Sequence, residues 1–291
     1  MRIGILGAGI DNIGYSTKRL LEEAKKEFKN AELIPCYEVK LFVGKELRAR
    51  YGKRDLTDYD YVILRIDSKR AQTGYPVVRF MDDMNIKKQY PAETIIIAHN
   101  KFITLQELVK HNIPVPDTYL VGSRNTAMEM VDKLKFPLVM KLLSSFGGQG
   151  VMIIDSKEAA KSVIAAMKVL KQELLIEKFV RSEGEDIRGV VAGDEVIASF
   201  KRIAKPGELK SNIHAGGRGV VFKLTDEMED ICIRAAQAIK AKICAIDMLQ
   251  GKDGIKVIEA NINPGLQGIE KATGINVAKR IIEFVKSEVK A

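Results

Sequence analysis

This chain has no tryptophan, only three cysteines and no long apolar run. No stretch approaches the roughly 18 consecutive apolar residues that span a bilayer, so the sequence predicts no transmembrane helix. The opening Met1-Arg2-Ile3-Gly4-Ile5-Leu6-Gly7 is short and runs into Gly9 and Asp11. It reads as a first β-strand rather than a signal peptide. Cys36, Cys232 and Cys244 are odd in number, scattered and outside any CxxC spacing. That argues against a disulfide frame and a zinc site, and predicts buried free thiols in a reducing cytoplasm. Internal repeats and low-complexity segments are lacking as well. So is any compact Lys/Arg tract, although the formal net charge is +9. The charge is mixed with acids along the chain, so much of it is a solvated surface and nucleic acid is a disfavoured partner. The basic balance still argues for an anionic partner, and nucleotide phosphates or a polycarboxylate both fit.

What is there is an ordinary globular composition, 46% apolar and 29% charged over 291 residues, enough for two or three lobes and a large core. The first ~98 residues alternate strand and helix, with strands predicted over 3–7, 33–39, 61–66 and 94–98 and a helical stripe of Leu20, Leu21, Ala24 and Phe28. This is the pattern of an α/β lobe with a largely parallel sheet. Its Gly7-Ala8-Gly9 lacks the third glycine of a dinucleotide loop and reads as a glycine-rich turn. A second lobe begins near Asn100. Thr104-Leu105-Gln106-Glu107 reads as a capping box whose helix must stop before Pro114 and Pro116. Apolar strands over 137–143 and 151–154 flank a glycine-rich loop. A helix through Ala159, Val163 and Met167 follows, then a strand over 174–179. The third lobe, from about Arg181, carries a hairpin turning at Gly193-Asp194, a strand over 220–224, a helix over 226–240, a second hairpin and a last helix from Asn276.

The second hairpin is the most informative segment. Ala245–Leu249 and Val257–Ala260 are apolar runs joined by Gln250-Gly251-Lys252-Asp253-Gly254, which reads as a loop somewhat longer than the minimum. A turn centred near Asp253 sets Asp247 opposite Glu259. Asn261, two residues on, shares their face. Opposed carboxylates repel unless a cation sits between them, and Asp, Glu and Asn oxygens are hard ligands suited to Mg²⁺. In Ser144-Ser145-Phe146-Gly147-Gly148-Gln149-Gly150, glycines let backbone N–H groups approach a phosphate and serines add donors. Lys141 lies just before it in an apolar strand and requires an anionic partner. Glu177-Lys178-Phe179-Val180 ends a strand whose free backbone groups suit an adenine edge. Arg188 and Arg202, on the two strands of the first hairpin, suit bidentate contact with phosphate or carboxylate.

The order of these pieces resembles the ATP-grasp superfamily, and within it the RimK-type α-L-glutamate ligases. The resemblance is carried by Asn100-Lys101, Lys141 through Gly150, Glu185-Asp186-Ile187-Arg188, residues 210–217 beginning Lys210-Ser211-Asn212, Glu259 through Gly265 and Gly268 through Gly274. It implies an ATP-grasp fold with an N-terminal α/β pre-ATP-grasp lobe over 1–98, a small lobe with the glycine-rich loop over 99–180 and a large lobe with the metal site over 181–291. By resemblance, Lys101 and Lys141 hold ATP phosphates with Ser145, Gly147, Gly148 and Gly150. Glu177, Lys178, Phe179 and Val180 form the adenine hinge, Asp186 contacts the nucleoside, and Lys210, Ser211 and Asn212 close over it. Asp247, Glu259 and Asn261 hold Mg²⁺ or Mn²⁺, expected as two ions. Lys141, Arg188 and Arg202 serve catalysis by neutralising phosphate charge. The implied activity is ATP-dependent addition of L-glutamate to an anionic acceptor, a glutamyl-tailed coenzyme or an acidic protein C-terminus, by a homo-oligomer. Use of another amino acid or a carrier-bound substrate, and a non-catalytic ATP-binding regulator, are the alternatives.

Overall fold

The computed structural model describes residues 1–9, 13–143, 150–170, 172–204 and 218–290. The chain opens with β1 (Arg2–Gly7), α1 (Tyr15–Glu27) and β2 (Asn30–Pro35). Three short strands follow, β3 (Lys40–Val43), β4 (Leu47–Tyr51) and β5 (Arg54–Asp55), then β6 (Tyr61–Leu64), α2 (Ala71–Asp83) and α3 (Ala92–His99). Strands β2-β1-β6 form a parallel sheet, as the alternating pattern predicts, and β3-β4-β5 form a separate antiparallel one. The residues predicted as a strand over 94–98 are helical instead. The β-branched run Ile95-Ile96-Ile97 reads locally as a strand. However, Pro91 supplies an N-cap in the extended region, and Thr94, Ile95 and Ile97 are buried while Ile96 is exposed. The Thr94 hydroxyl donates to the Ile239 carbonyl, 2.8 Å away. Tertiary packing overrides a weak propensity here.

Next come α4 (Lys101–Lys110), β7 (Thr118–Val121), α5 (Arg124–Lys133), β8 (Leu138–Leu142), β9 (Val151–Ile154), α6 (Lys157–Val169) and β10 (Leu174–Lys178). α4 is capped one turn earlier than the capping-box pattern implies. The Asn100 side chain accepts from the Phe102 and Ile103 N–H groups at 3.1 and 3.2 Å, and the Thr104 hydroxyl donates to the Ile97 carbonyl at 2.7 Å. Asn is as good a cap as Thr, and burial claims the threonine for a contact between helices. The sheet order β7-β10-β8-β9 is antiparallel throughout, with α5 and α6 packed on one face.

The last part holds β11 (Glu185–Ala192), β12 (Glu195–Ile203), β13 (Arg218–Val221), α7 (Asp226–Ala238), β14 (Ile243–Gly251), β15 (Gly254–Asn261), α8 (Gln267–Thr273) and α9 (Val277–Lys290). Its sheet runs β13-β12-β11-β14-β15. Gly193 turns the β11–β12 hairpin at φ +65°, where a Cβ would also meet the Phe284 ring. One sheet face carries Cys244, Ile246, Met248, Val257 and Ala260 into a core shared with α7 and α2–α4. The other packs Val190, Phe200 and Ala245 against α8 and α9. α9 lies on α1, and Arg19 reaches Glu270 and Asn276 across that junction, so the two ends of the chain close on each other.

Candidate functional site

The β14–β15 hairpin has a two-residue loop, Lys252-Asp253, because Gly251 pairs with Gly254. It is therefore the minimal loop and not a longer one. A regular ladder from that loop would set Asp247 against Ile258 and turn Glu259 toward the core. A β-bulge between Met248 and Asp247 shifts the register by one, so Asp247 pairs with Glu259 and Ala245 with Asn261. Burial records the shift: Ile255 and Val257 are buried before it, Ala260 and Ile262 after it. Asp247, Glu259 and Asn261 therefore share one face.

The same face gathers charges from the neighbouring strands. Arg188 pairs in register with Asp247, and Asp186 with Arg202. Arg188 donates through Nε and Nη2 to the two oxygens of Asp247, both at 2.6 Å. Arg202 donates from Nη2 to Asp247 at 2.8 Å and from Nε to Asp186. Two buried carboxylates and two guanidiniums thus form a neutral block, bidentate at Arg188. Burial alone would raise the Asp247 pKa. The charges and hydrogen bonds of Arg188 and Arg202 overcome it and hold the group at about 2. Asn261 Oδ1 accepts from the Asn263 N–H at 2.9 Å, fixing the chain as it leaves the sheet.

A second buried pair stands on the four-stranded sheet. Lys141 on β8 meets Glu177 on β10 with Nζ–O distances of 2.7 and 2.8 Å. The anionic partner that Lys141 requires is therefore Glu177, which also accepts from the Thr118 hydroxyl at 3.3 Å. Lys178 next to it is exposed, Phe179 and Val180 are half-buried, and the Lys178 N–H is bound to the Asp117 carbonyl at 2.9 Å. Lys101, at the first position of α4, joins the two clusters electrostatically. Burial pushes its pKa down, Glu259 and Glu177 push it up, and Lys141 pushes it down. Gly150 is half-buried, and its carbonyl accepts from the Leu142 N–H at 3.1 Å. Ser145, Gly147, Gly148, Lys210, Ser211 and Asn212 lie outside the described residues.

Two features escaped the reading of the sequence. One is the pairing of Lys141 with Glu177, which lie 36 residues apart and have no local signal. The other is Arg65, just after β6, which is 8% exposed and whose Nη1 donates to the Pro264 carbonyl at 3.1 Å. Its only hint is an arginine inside an apolar run. Among the described residues no group of three or more His, Cys, Asp or Glu side chains stands ready for a metal. The donor set here is two acids and an amide, Asp247, Glu259 and Asn261. Its hard oxygens, one from a carboxylate held ionised, fit Mg²⁺ or Mn²⁺.

A sheet bearing acids and arginines, with a smaller sheet bearing a buried lysine just ahead of a glycine-rich sequence, is the plan of an ATP-grasp enzyme. The model of the RimK-like ATP-grasp domain matches residues 98–285, and that of the RimK pre-ATP-grasp domain matches residues 1–95. The chain belongs to the RimK-type ATP-grasp family, a class of ADP-forming C–N ligases. A protein of Syntrophotalea carbinolica named probable alpha-L-glutamate ligase is 36% identical over 295 residues, covering 100% of this chain and 97% of that protein. The RimK domain ATP-grasp protein of Sphaerobacter thermophilus superposes with a TM-score of 0.74 at 18% identity, over 98% of this chain and 99% of that one. The ATP-grasp ligase PsnB, in its complex with minimal precursor, Mg and ADP, gives 0.76 at 13% identity, over 99% and 98%. These two structures share the fold.

Proposed function

We propose that this chain joins the α-amine of L-glutamate to a carboxylate of an acidic acceptor, consuming ATP and releasing ADP and phosphate. The observation that carries the reading is one sheet face on which Asp247, Glu259 and Asn261 stand beside Arg188 and Arg202, with Lys101 of α4 in electrostatic reach of both Glu259 and the Lys141–Glu177 pair of the smaller sheet. The curated relative's name supports glutamate as the added residue. The division at residues 98 and 180 belongs to the same reading; the separate sheets support distinct lobes, while α4 packs into the core of the larger sheet.

Asp247, Glu259 and Asn261 would hold Mg²⁺ or Mn²⁺, proposed as two ions, which would neutralise phosphate charge. The rest falls to the side chains. Arg188 and Arg202 spend their Nε and Nη2 groups on carboxylates, and the Nη1 edge of each is what remains to meet a phosphate or the acceptor. Lys141 is held by Glu177, and Lys101 enters from the first turn of α4. Phosphoryl transfer needs positioning and charge neutralisation more than a protein nucleophile. In the first step an acceptor carboxylate oxygen bonds to the γ-phosphorus and the bond to the β–γ bridging oxygen breaks, giving an acyl phosphate and ADP. In the second the deprotonated amine attacks the acyl carbon and phosphate leaves.

The test is a screen of acceptors with ATP, Mg²⁺ and L-glutamate, read by product mass. A productive acceptor is then labelled with ¹⁸O in its carboxylate. Label in inorganic phosphate with ADP as co-product is expected. Label in AMP would overturn the acyl-phosphate route.

A further inference from the structure

Buried polar atoms are nearly always hydrogen-bonded, so exceptions call for an explanation. Four exceptions lie together: Arg65 Nε, the Tyr90 hydroxyl, His99 Nε2 and Asn263 Oδ1. Arg65 follows β6, and its N–H donates to the Leu6 carbonyl of β1 at 2.7 Å. Gly7, at the end of β1, is pressed so close that a Cβ there would lie 2.9 Å from the Arg65 Cβ. Tyr90 feels the Arg65 charge, and Tyr90 and His99 both lie beside the backbone of Ile66. Pro264, which Arg65 holds, adjoins Asn263.

This spot is defined by topology. β1 lies between β2 and β6, so the chain leaves β1 to one side and returns to the other. The carboxyl ends of β1 and β6 are thus the switch point of the parallel sheet, the position at which open α/β sheets bind ligands. The loop that leaves β15 meets this switch point, where Arg65 holds the Pro264 carbonyl.

The guanidinium here is unusual in its company. Asp67, two residues away, is paired with Arg70 and acts on Arg65 only through space, so no carboxylate forms an ion pair with Arg65 among the described residues. Burial pushes its pKa down to about 10. A buried cation with one carbonyl for a partner is costly unless something else meets it. The unmet set is a cationic donor, a hydroxyl, an imidazole nitrogen and an amide oxygen. It complements a group with one negative charge and an adjacent amine. A phosphate dianion fits poorly, because Arg65 is the one cation of the four, burial and the nearby Lys101 charge pushing the His99 pKa down.

We propose that Arg65, Tyr90 and Asn263 form the subsite for the incoming α-amino acid. The α-carboxylate lies on the Arg65 guanidinium and the Tyr90 hydroxyl, and the α-amine meets Asn263 Oδ1. This inference rests on the ligase reading above and assigns the amine-donating substrate within it. Asn263 then presents the amine beside the strand that carries Glu259 and Asn261, where it must attack.

Calorimetry tests it on the full chain saturated with Mg²⁺ and a non-hydrolysable ATP analogue, with L-glutamate and glutarate as probes. Wild type is expected to bind L-glutamate more tightly than glutarate, which lacks the amine. R65Q should weaken L-glutamate about tenfold or more, as loss of a charged hydrogen bond does, with nucleotide affinity unchanged. N263A should bring L-glutamate down to the level of glutarate. Y90F removes a hydroxyl whose one protein neighbour is the Ile66 backbone, outside good hydrogen-bond geometry, so its thermal midpoint should fall little while its L-glutamate affinity drops. It therefore reads binding even where R65Q folds poorly. Unchanged L-glutamate affinity in R65Q, or in Y90F where R65Q does not fold, overturns the subsite, as does a wild type that binds no L-glutamate. The product screen is a separate readout: amide formation with L-glutamate at an unchanged KM in R65Q sinks the subsite and leaves the ligase standing.

Discussion

Replacing Lys141 by Met removes one half of a buried ion pair and keeps the length and apolar stem of the side chain. Lys141 and Glu177 have side chains 10% and 3% exposed, with contacts of 2.7 and 2.8 Å. Breaking such a pair costs about 3–5 kcal/mol, chiefly because the remaining charge is stranded. The stranded carboxylate has one escape, protonation. At pH 7 that costs about 3.7 kcal/mol for an ordinary glutamate, at about 1.4 kcal/mol per pH unit above ~4.3. The escape sets a ceiling, so Lys141→Met should destabilise by about 3–4 kcal/mol at pH 7. With about 2–4 °C lost per kcal/mol in a chain of this order of size, the midpoint should fall by about 6–16 °C. At pH 5 the escape costs only about 1 kcal/mol, so the loss relative to wild type should shrink to that figure. Adding Glu177→Gln removes the stranded charge and should recover most of the midpoint at pH 7 without restoring nucleotide affinity. Scanning calorimetry at the two pH values, with ATP-analogue titration of each variant, provides the measurements. A single variant as stable as wild type at pH 7, or a loss that does not shrink at pH 5, would refute the account of a mutually dependent buried pair.

Glu259→Ala removes a half-buried carboxylate whose strand opposite is Asp247; ligase turnover should collapse with Mg²⁺ while the thermal midpoint in EDTA stays near wild type, and a near-normal rate would remove Glu259 from the metal set. The three thiols are 2% exposed or less, and burial pushes the Cys232 thiol up to about 12 and raises the other two; alkylation at pH 8 should be negligible in the native protein and complete in denaturant, and prompt native labelling would contradict the packing.

Local sequence was enough for much of this molecule. Alternation of apolar and helical stripes located β1, α1, β6, α6 and both C-terminal hairpins, because strand and helix periods are set within a few residues. The lysine before a glycine-rich loop and the acids of the last hairpin marked the site for the same reason: each is a residue out of keeping with its apolar neighbours. Where local preference was weak, the sequence misled. Ile95-Ile96-Ile97 reads as a strand and is helical because Thr94 and α7 claim its buried side, and Asn100 rather than Thr104 caps α4.

The opposition of Asp247 and Glu259 shows the division most clearly. The sequence placed the two acids on facing strands, but their shared face depends on a one-residue bulge, which pairing energetics across the whole sheet decide. Arg188 and Arg202 lie 59 and 45 residues from Asp247, Glu177 lies 36 from Lys141, and Pro264 lies 199 from Arg65. Periodicity carries no information over such distances. The sequence by itself determined which side chains can do chemistry and which strands carry them. Only the folded chain decided which charges meet, because a buried charge is stable only against a partner that chain topology brings to it.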